Sequence, residues 1–371
     1  MSTIDKITVY ELIGKYSSFI ESAKYRRYED FYSTESNIIE LSYNENPLGA
    51  GELAKQAIRY HADYSHLYPP ICYYALIEKL ALKLNVEQNN ILVSSGSVAA
   101  IQLAVYQNAE RGNEIIYSKS SMPWYRWSVL GNCSIPIEVP LLPDMNHDLE
   151  GILKAITSKT RLIIISNPHN PTGLYIKENV LIEFIDRVPE NVLIIIDQAY
   201  YEYTELQECT LINEINKRPN LMLTRTFSKI YGLAGLRVGY GISNSEIIKG
   251  MKAKWLGSMP TIPSISNFVA MHALDDSDHI NKSRLFNEKT KSQIYEIAKQ
   301  FSIPILHSDA NFILLKVGDS YKAENIFNNY GIKVSAGYFF GLPEWARMSF
   351  YIDTNIFTKK LNIIFETIKK I

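Results

Sequence analysis

Cysteine is scarce in this chain: Cys72, Cys133 and Cys209 stand far apart, with no Cys-x-x-Cys and no Cys/His spacing. That argues against a disulfide framework and against a zinc site, so no metal is expected. An excess of charge of one sign is also lacking. Lys+Arg 38 balance Asp+Glu 39 to a net charge of -1, so no global field draws the chain toward nucleic acid or an anionic membrane. No apolar window reaches the length of a membrane span, and Asp5, Lys6 and Glu11 interrupt the N-terminus before a leader-like stretch develops. A soluble, cytoplasmic protein is the expectation. No internal repeat or low-complexity segment breaks the pattern. What the chain does have is 46% apolar residues over 371 positions, enough to bury a large core in a main domain plus a smaller one.

Strand-like and helical stretches alternate through the middle of the sequence. Strands are expected at 90–93, 114–117, 161–166, 192–197, 221–226 and 238–242. The runs Leu162-Ile163-Ile164-Ile165 and Val192-Leu193-Ile194-Ile195-Ile196 are continuously apolar, as strands buried on both faces are. The fold class that follows is α/β, a mostly parallel sheet flanked by helices. From about Asp278 the pattern changes to a long amphipathic helix over 279–301. It is followed by a strand over 311–317, a helix near 321–330, short strands near 332–334 and 347–352, and a last helix from Thr354. The expected division is a large domain over 41–277 and a small α+β domain over 278–371, with residues 1–40 forming a flap or part of the small lobe.

Ligands of such sheets bind outside the carboxyl ends of strands, and the chemically informative motifs fall there. The run Arg225-Thr226-Phe227-Ser228-Lys229 closes a strand and continues through Gly232 and Gly235 to Arg237. A lysine there, between hydroxyls and eight residues before an arginine, suits a Schiff base with an aldehyde whose phosphate is held nearby. Desolvation makes lysine a neutral nucleophile, while the hydroxyls of Thr226 and Ser228 and the planar guanidinium of Arg237 meet the phosphate. The plain alternative is a surface lysine beside a Gly-rich turn, and the companions of this run speak against it. Asn167-Pro168-His169-Asn170-Pro171-Thr172-Gly173 fixes a sharp turn after one buried strand. Asp197-Gln198-Ala199-Tyr200 places a carboxylate at the end of the next, where it either caps a helix or keeps a pyridine nitrogen protonated. Ser94-Ser95-Gly96-Ser97 opens an apolar helix whose free N–H groups suit a phosphate or plain capping. Pro123-Trp124-Tyr125 offers an aromatic face for a ring, or for the core.

Taken together, these motifs resemble a fold-type-I PLP-dependent enzyme of the class I/II aminotransferases, most like the histidinol-phosphate aminotransferase branch. The resemblance covers nearly the whole chain. Asn44-Glu45-Asn46-Pro47-Leu48-Gly49 and Tyr68-Pro69 match two early elements of that branch, and the segments around Asn170, Asp197 and Lys229 follow in its order. It implies the aspartate aminotransferase-like fold, pyridoxal 5'-phosphate as cofactor, and a ping-pong transfer of an amino group from an amino acid or a histidinol-phosphate-like amine to a 2-oxo acid. It also implies Lys229 as Schiff-base lysine and proton shuttle and Asp197 on the pyridinium. Asn170 and Tyr200 would hold the phenolic oxygen, Tyr125 would stack on the ring, and Ser97, Thr226, Ser228 and Arg237 would surround the phosphate. Arg347 and Asn46 would bind substrate. A homodimer is implied, in which Tyr68 reaches the neighbouring subunit's site.

The chain departs from the branch at several places. Val98 and Ala99 follow Ser97 where acidic residues are usual, Gln198 replaces Glu, and Trp124 replaces Thr. Ser335 follows Gly331-Ile332-Lys333-Val334 where an arginine helps bind the substrate's phosphate, which weakens the case for histidinol phosphate as substrate. Thr8 and Glu11 match a Thr-x-x-Glu element of PLP-dependent arginine oxidases, and the same spacing is a capping box. The rival readings are such an oxidase, a threonine-phosphate-type decarboxylase, and a binding or regulatory protein that keeps the fold. Retention of Lys229, Asp197 and Arg237 opposes the last.

Overall fold

The computed structural model describes residues 38–69, 73–204, 209–255 and 262–370. Its strands are β1 (Ile39–Glu40), β2 (Ile91–Ser94), β3 (Glu114–Ser118), β4 (Ile135–Val139), β5 (Thr160–Ser166), β6 (Leu193–Asp197), β7 (Leu221–Thr226), β8 (Gly239–Ser243), β9 (Phe312–Lys316), β10 (Ile332–Lys333), β11 (Ser335–Ala336) and β12 (Trp345–Ser349). The main sheet has 7 strands in the order β2-β8-β7-β6-β5-β3-β4. Only β8 runs antiparallel to its neighbours there.

Side chains alternate across a strand, so a run apolar at every position must bury both faces. The sheet does this with two separate cores. Ile163, Ile165, Ile194 and Ile196 enter one, against helices Tyr74–Leu84, Glu178–Ile185 and Ser264–Ala273. Their neighbours Leu162, Ile164, Leu193 and Ile195 enter the other, against helices Ser97–Asn108, Pro123–Gly131 and Ser245–Trp255. Each such Ile or Leu contributes about 1.5–3 kcal/mol of burial, which commits β5 and β6 to the middle of the molecule.

A third core lies over the antiparallel sheet β11-β12-β9 and includes Ile313, Leu315, Phe327, Met348, Phe357 and Phe365. Ile39 and Leu41 belong to it as well, because β1 pairs in parallel with β10. Helix Ser277–Gln300 starts at an Asp276 cap that accepts from His279 N, and its far end supplies Ile294, Ile297 and Ala298 to this core. Among the described residues no helix is long and apolar enough to cross a membrane.

The expected strands of the main sheet are found within a residue or so of their expected ends, with one addition. β4 was not expected from the sequence. Pro136 and a half-exposed burial pattern hide it, and its place at the sheet edge explains why both are tolerated. The strand expected over 347–352 lies over Trp345–Ser349 instead, because its pairing is set by β9 from Trp345 opposite Lys316 onward.

Register brings the motif-bearing strand ends to one edge. Ser166 lies opposite Asp197, Asp197 opposite Thr224, Thr226 opposite Gly239, and Gly239 opposite Ser94. The loop after β7 is held on a second side by Gly232, whose φ is +67° and where an added Cβ would lie 1.9 Å from the Gly49 carbonyl oxygen. Gly232→Ala should therefore lower stability by about 3 kcal/mol, combining overpacking with a left-handed backbone. A urea midpoint equal to that of the parent would refute this close approach.

Candidate active site

Lys229 stands just past β7 at this edge. Its ammonium donates to Tyr43 O at 2.9 Å and lies 5.5 Å from the Tyr200 ring centroid. Burial, with the positive charges of Arg347 and Arg237, pulls its pKa down to about 7 against the opposing pull of Glu45 and Asp197. An ordinary lysine is a fully protonated cation at neutral pH, whereas this one has a substantial neutral, nucleophilic fraction.

Asp197 ends β6 and is 2% exposed. Its Oδ2 accepts from Tyr125 OH at 2.7 Å and its Oδ1 from Thr224 Oγ1 at 3.0 Å. Burial raises its pKa, and those hydroxyls, the Ala199 N–H and the Lys229 charge pull it back. The carboxylate is held by hydroxyls and no cation is bonded to it among the described residues, so it is poised for a cationic partner. Thr224 is a contributor that the sequence reading missed. It lies two positions before Thr226 on β7, hence on the same face, but only the pairing of β6 with β7 reveals that it meets Asp197.

A different set of groups converges around Arg237. Its Nη1 donates to Ser228 Oγ at 3.3 Å and Ala234 O at 2.9 Å, and its Nη2 to Ser95 O at 3.4 Å. Thr226 Oγ1 donates to Ser228 Oγ at 2.9 Å and accepts from Ser228 N at 3.1 Å. Ser97 begins helix Ser97–Asn108, whose first-turn N–H groups have no intrahelical acceptor. Gly96 keeps this corner open, since its φ is +82° and an added Cβ would lie 2.6 Å from Arg237 Nη2. A guanidinium that meets no carboxylate among the described residues, two hydroxyls and a helix N-terminus form an anion cradle.

The third group links the two sheets. Asn170 Nδ2 and Asn44 Nδ2 donate to Tyr200 OH at 3.2 and 3.1 Å. Because Tyr200 accepts from both amides, its own proton is left to be donated elsewhere. Asn170 Oδ1 accepts from Arg347 Nη1 at 2.6 Å. Arg347 Nη2 donates to Ser42 O and to Ser335 Oγ, the latter at 3.1 Å, while its buried Nε has no hydrogen-bond partner among the described residues. All these acceptors are neutral oxygens, so a guanidinium 6% exposed faces no carboxylate among the described residues.

Two expected site residues are not brought into this cluster. Asn46, expected to bind substrate, has its amide engaged elsewhere. Its Nδ2 donates to Ile230 O at 2.7 Å and Ser283 Oγ at 2.9 Å, and its Oδ1 accepts from Leu48 N at 3.0 Å. The amide thus fastens the turn behind Lys229 to helix Ser277–Gln300. Its neighbour Asn44, left-handed at φ 54°, is the residue of that motif that reaches Tyr200. Tyr68 is 98% exposed and touches nothing in the cluster of its own chain. Thr8 and Glu11 lie outside the described residues. Among the described residues no group of His, Cys, Asp and Glu is arranged to hold a metal.

The family model for aminotransferase class I and II matches residues 36–357 of the chain. A histidinol-phosphate aminotransferase of Caldicellulosiruptor saccharolyticus is 36% identical over 322 residues, covering 86% of this chain and 88% of that protein. One from Geobacillus thermodenitrificans is 35% identical over 340 residues, 90% of each. Among solved structures, the histidinol-phosphate aminotransferase of Sinorhizobium meliloti in complex with pyridoxal-5'-phosphate superposes with a TM-score of 0.81 at 25% identity, covering 89% of this chain and 91% of that one.

Proposed function

The chain belongs to the aminotransferase class I and II family, and from that membership we propose a role for each residue gathered at the sheet edge. It is a pyridoxal-5'-phosphate-dependent aminotransferase of the fold-type-I class. The single observation that carries the residue assignment is the match of charge signs. Asp197 is a buried carboxylate poised for a cation, as a protonated pyridine nitrogen is. The Arg237 cradle is built for an anion, as a phosphate is, and Lys229 is an amine with a neutral fraction, as attack on an aldehyde requires.

When bound, the cofactor supplies an aldehyde that takes up the amino group and a ring that withdraws electron density as the donor's Cα–H bond breaks. Lys229 holds the aldehyde end and carries the Cα proton, a task suited to a pKa near 7. Asp197 keeps the ring nitrogen protonated, and the buried hydroxyls of Tyr125 and Thr224 keep Asp197 in place. Tyr125, buried beside Tyr117 with its hydroxyl on Asp197, is the aromatic residue we assign to pack on the ring. Tyr200 donates its free proton to the phenolic oxygen, with Asn170 at its side. Ser97, Thr226, Ser228 and Arg237 take the phosphate. Arg347 grips the acidic group of the donor and then that of the 2-oxo acid acceptor, and Phe312 and Phe340 flank it with ring centroids at 5.6 and 4.8 Å.

A homodimer completes this reading. Tyr60, Tyr64, Leu67, Tyr68 and Tyr74 are exposed by 44–98% on one stretch of chain, an apolar strip that a second copy would cover, bringing Tyr68 to the partner's phosphate end. Cys133 and Cys209, free thiols among the described residues, fit a reducing cytoplasm.

Purified holoprotein given an amino acid and no acceptor should release one equivalent of 2-oxo acid per site, convert its cofactor to the amine form, and elute at the mass of a dimer. Carbon dioxide would mark a decarboxylase and peroxide an oxidase. A protein that changes neither an amino acid nor a histidinol-phosphate-like amine would be the binding protein of the rival reading.

A further inference from the structure

Two buried imidazoles have no part in the assignments above. His147, two residues before helix Leu149–Lys154, and His169, inside the turn that carries Asn170, are 4% and 1% exposed, with ring centroids 4.2 Å apart. His147 Nε2 meets the Ser166 carbonyl oxygen at 2.9 Å, and its Nδ1 meets Ser118 Oγ at 2.5 Å. A carbonyl only accepts, so Nε2 carries the proton and Nδ1 accepts from the serine hydroxyl. His169 Nε2 lies 3.2 Å from Ser121 Oγ and its Nδ1 3.0 Å from Thr172 Oγ1. Burial brings the His147 pKa down to about 4 and, with His147 adding to it, holds that of His169 well below its usual value. Both rings therefore act as uncharged hydrogen-bonding bridges at neutral pH.

What they bridge is the pair of loops that carry residues assigned to the cofactor ring. β3 and β5 are parallel neighbours whose shared ladder runs to Tyr117 opposite Ile164, and past the strand ends the two chains separate. One leads from Ser118 to helix Pro123–Gly131, with the Tyr125 hydroxyl on Asp197. The other leads from Ser166 to Asn170, with its amide on Tyr200. His147 ties the last residue of β3 to the last residue of β5, and His169 ties the second loop to Ser121 in the first. Ser166 passes the constraint on, because its hydroxyl accepts from Asn170 N at 3.3 Å and donates to Pro168 O at 3.0 Å. A misplacement of about 1 Å in a positioned group costs on the order of 100-fold in rate, so a hold on these loops reaches the chemistry. We propose that His147 and His169 are positioning residues for the cofactor ring: together they lock the loop after β3 to the loop after β5 and so fix the Asn170–Tyr200 pair against the phenolic oxygen. The inference rests on the aminotransferase reading and deepens it.

The test compares parent holoenzyme with His147→Leu, which keeps much of the bulk and removes both hydrogen bonds, and with His147→Gln, whose amide nitrogen still has a proton for Ser166 O. Hydrogen bonds donated to the phenolic oxygen favour its anionic form. The pH midpoint of the visible absorbance change of the bound cofactor therefore reports how well Tyr200 and Asn170 are held. His147→Leu should raise that midpoint by on the order of one pH unit and lower kcat by about tenfold, and His147→Gln should return both most of the way to the parent. An unchanged midpoint in folded His147→Leu overturns the inference even where kcat or the melting temperature of the cofactor-free protein has fallen, since the loss is then one of stability. A glutamine variant no better than the leucine one overturns it as well. Where leucine prevents folding, Ser121→Ala removes the partner of His169 in the first loop and should raise the midpoint in the same direction; no shift there has the same adverse meaning. Each of these failures leaves the aminotransferase reading standing. A parent protein with no pH-dependent cofactor band and no amino transfer removes that reading, and the inference with it.

Discussion

Lys229→Ala should lower the rate of amino transfer by on the order of 10⁴-fold or more, because it deletes in one step the nucleophile and the proton carrier. Binding of the cofactor should survive, since Thr224 and Tyr125 hold Asp197, and Arg237, Ser228 and Thr226 hold one another, without help from the Lys229 amine. The two effects are separable by absorbance. The variant should take up pyridoxal phosphate without the spectral change that an imine to the protein produces, and borohydride should then fail to fix the cofactor to the chain. Retention of turnover within tenfold would refute the lysine assignment.

The same residue sets a pH dependence. Cofactor-free protein should capture the aldehyde through neutral Lys229, so the association rate should rise as pH increases through about 7 and level off above it. An unshifted lysine would give a rate still climbing toward pH 10. The direction follows from burial, which disfavours the ammonium, with the charges of Arg347 and Arg237 adding to it.

What could be read from the sequence was what depends on local pattern. β5 and β6 announce themselves because each position is apolar, and their ends carry Asn170 and Asp197 by chain order alone. β1 and β11, two residues each, are too short to have a period, and β4 is hidden by Pro136. In the site, motif order pointed to Lys229, Arg237 and Arg347, but it could not tell Asn44 from Asn46. Both sit in one tetrapeptide, and a left-handed backbone at Asn44 decides which amide turns toward Tyr200. Thr224 and the facing of Ser335 on Arg347 are matters of strand register between distant segments, which periodicity within one strand does not encode.

Register also explains why Asp197 is the second residue whose loss should be severe. Asp197→Asn keeps the size of the side chain and replaces an acceptor-only group with an amide. In the parent the two carboxylate oxygens accept hydrogen bonds from the Tyr125 and Thr224 hydroxyls. With asparagine one of these hydroxyls faces an NH₂ group, and the negative charge opposite the ring nitrogen is gone. The nitrogen then loses its reason to stay protonated, and the ring loses its pull on electrons at the donor's Cα. The expected fall in kcat is on the order of 10²–10³-fold, the range for removing one preorganised electrostatic partner, with a much smaller change in KM because Arg347 is untouched. A ring-N-methylated cofactor carries a fixed positive charge and so bypasses the need for the carboxylate's proton-holding role. It should recover a large part of the lost rate in the variant and bring no gain to the parent. Equal rates for the variant with either cofactor would show that Asp197 supports the fold at the end of β6 and not the charge of the ring.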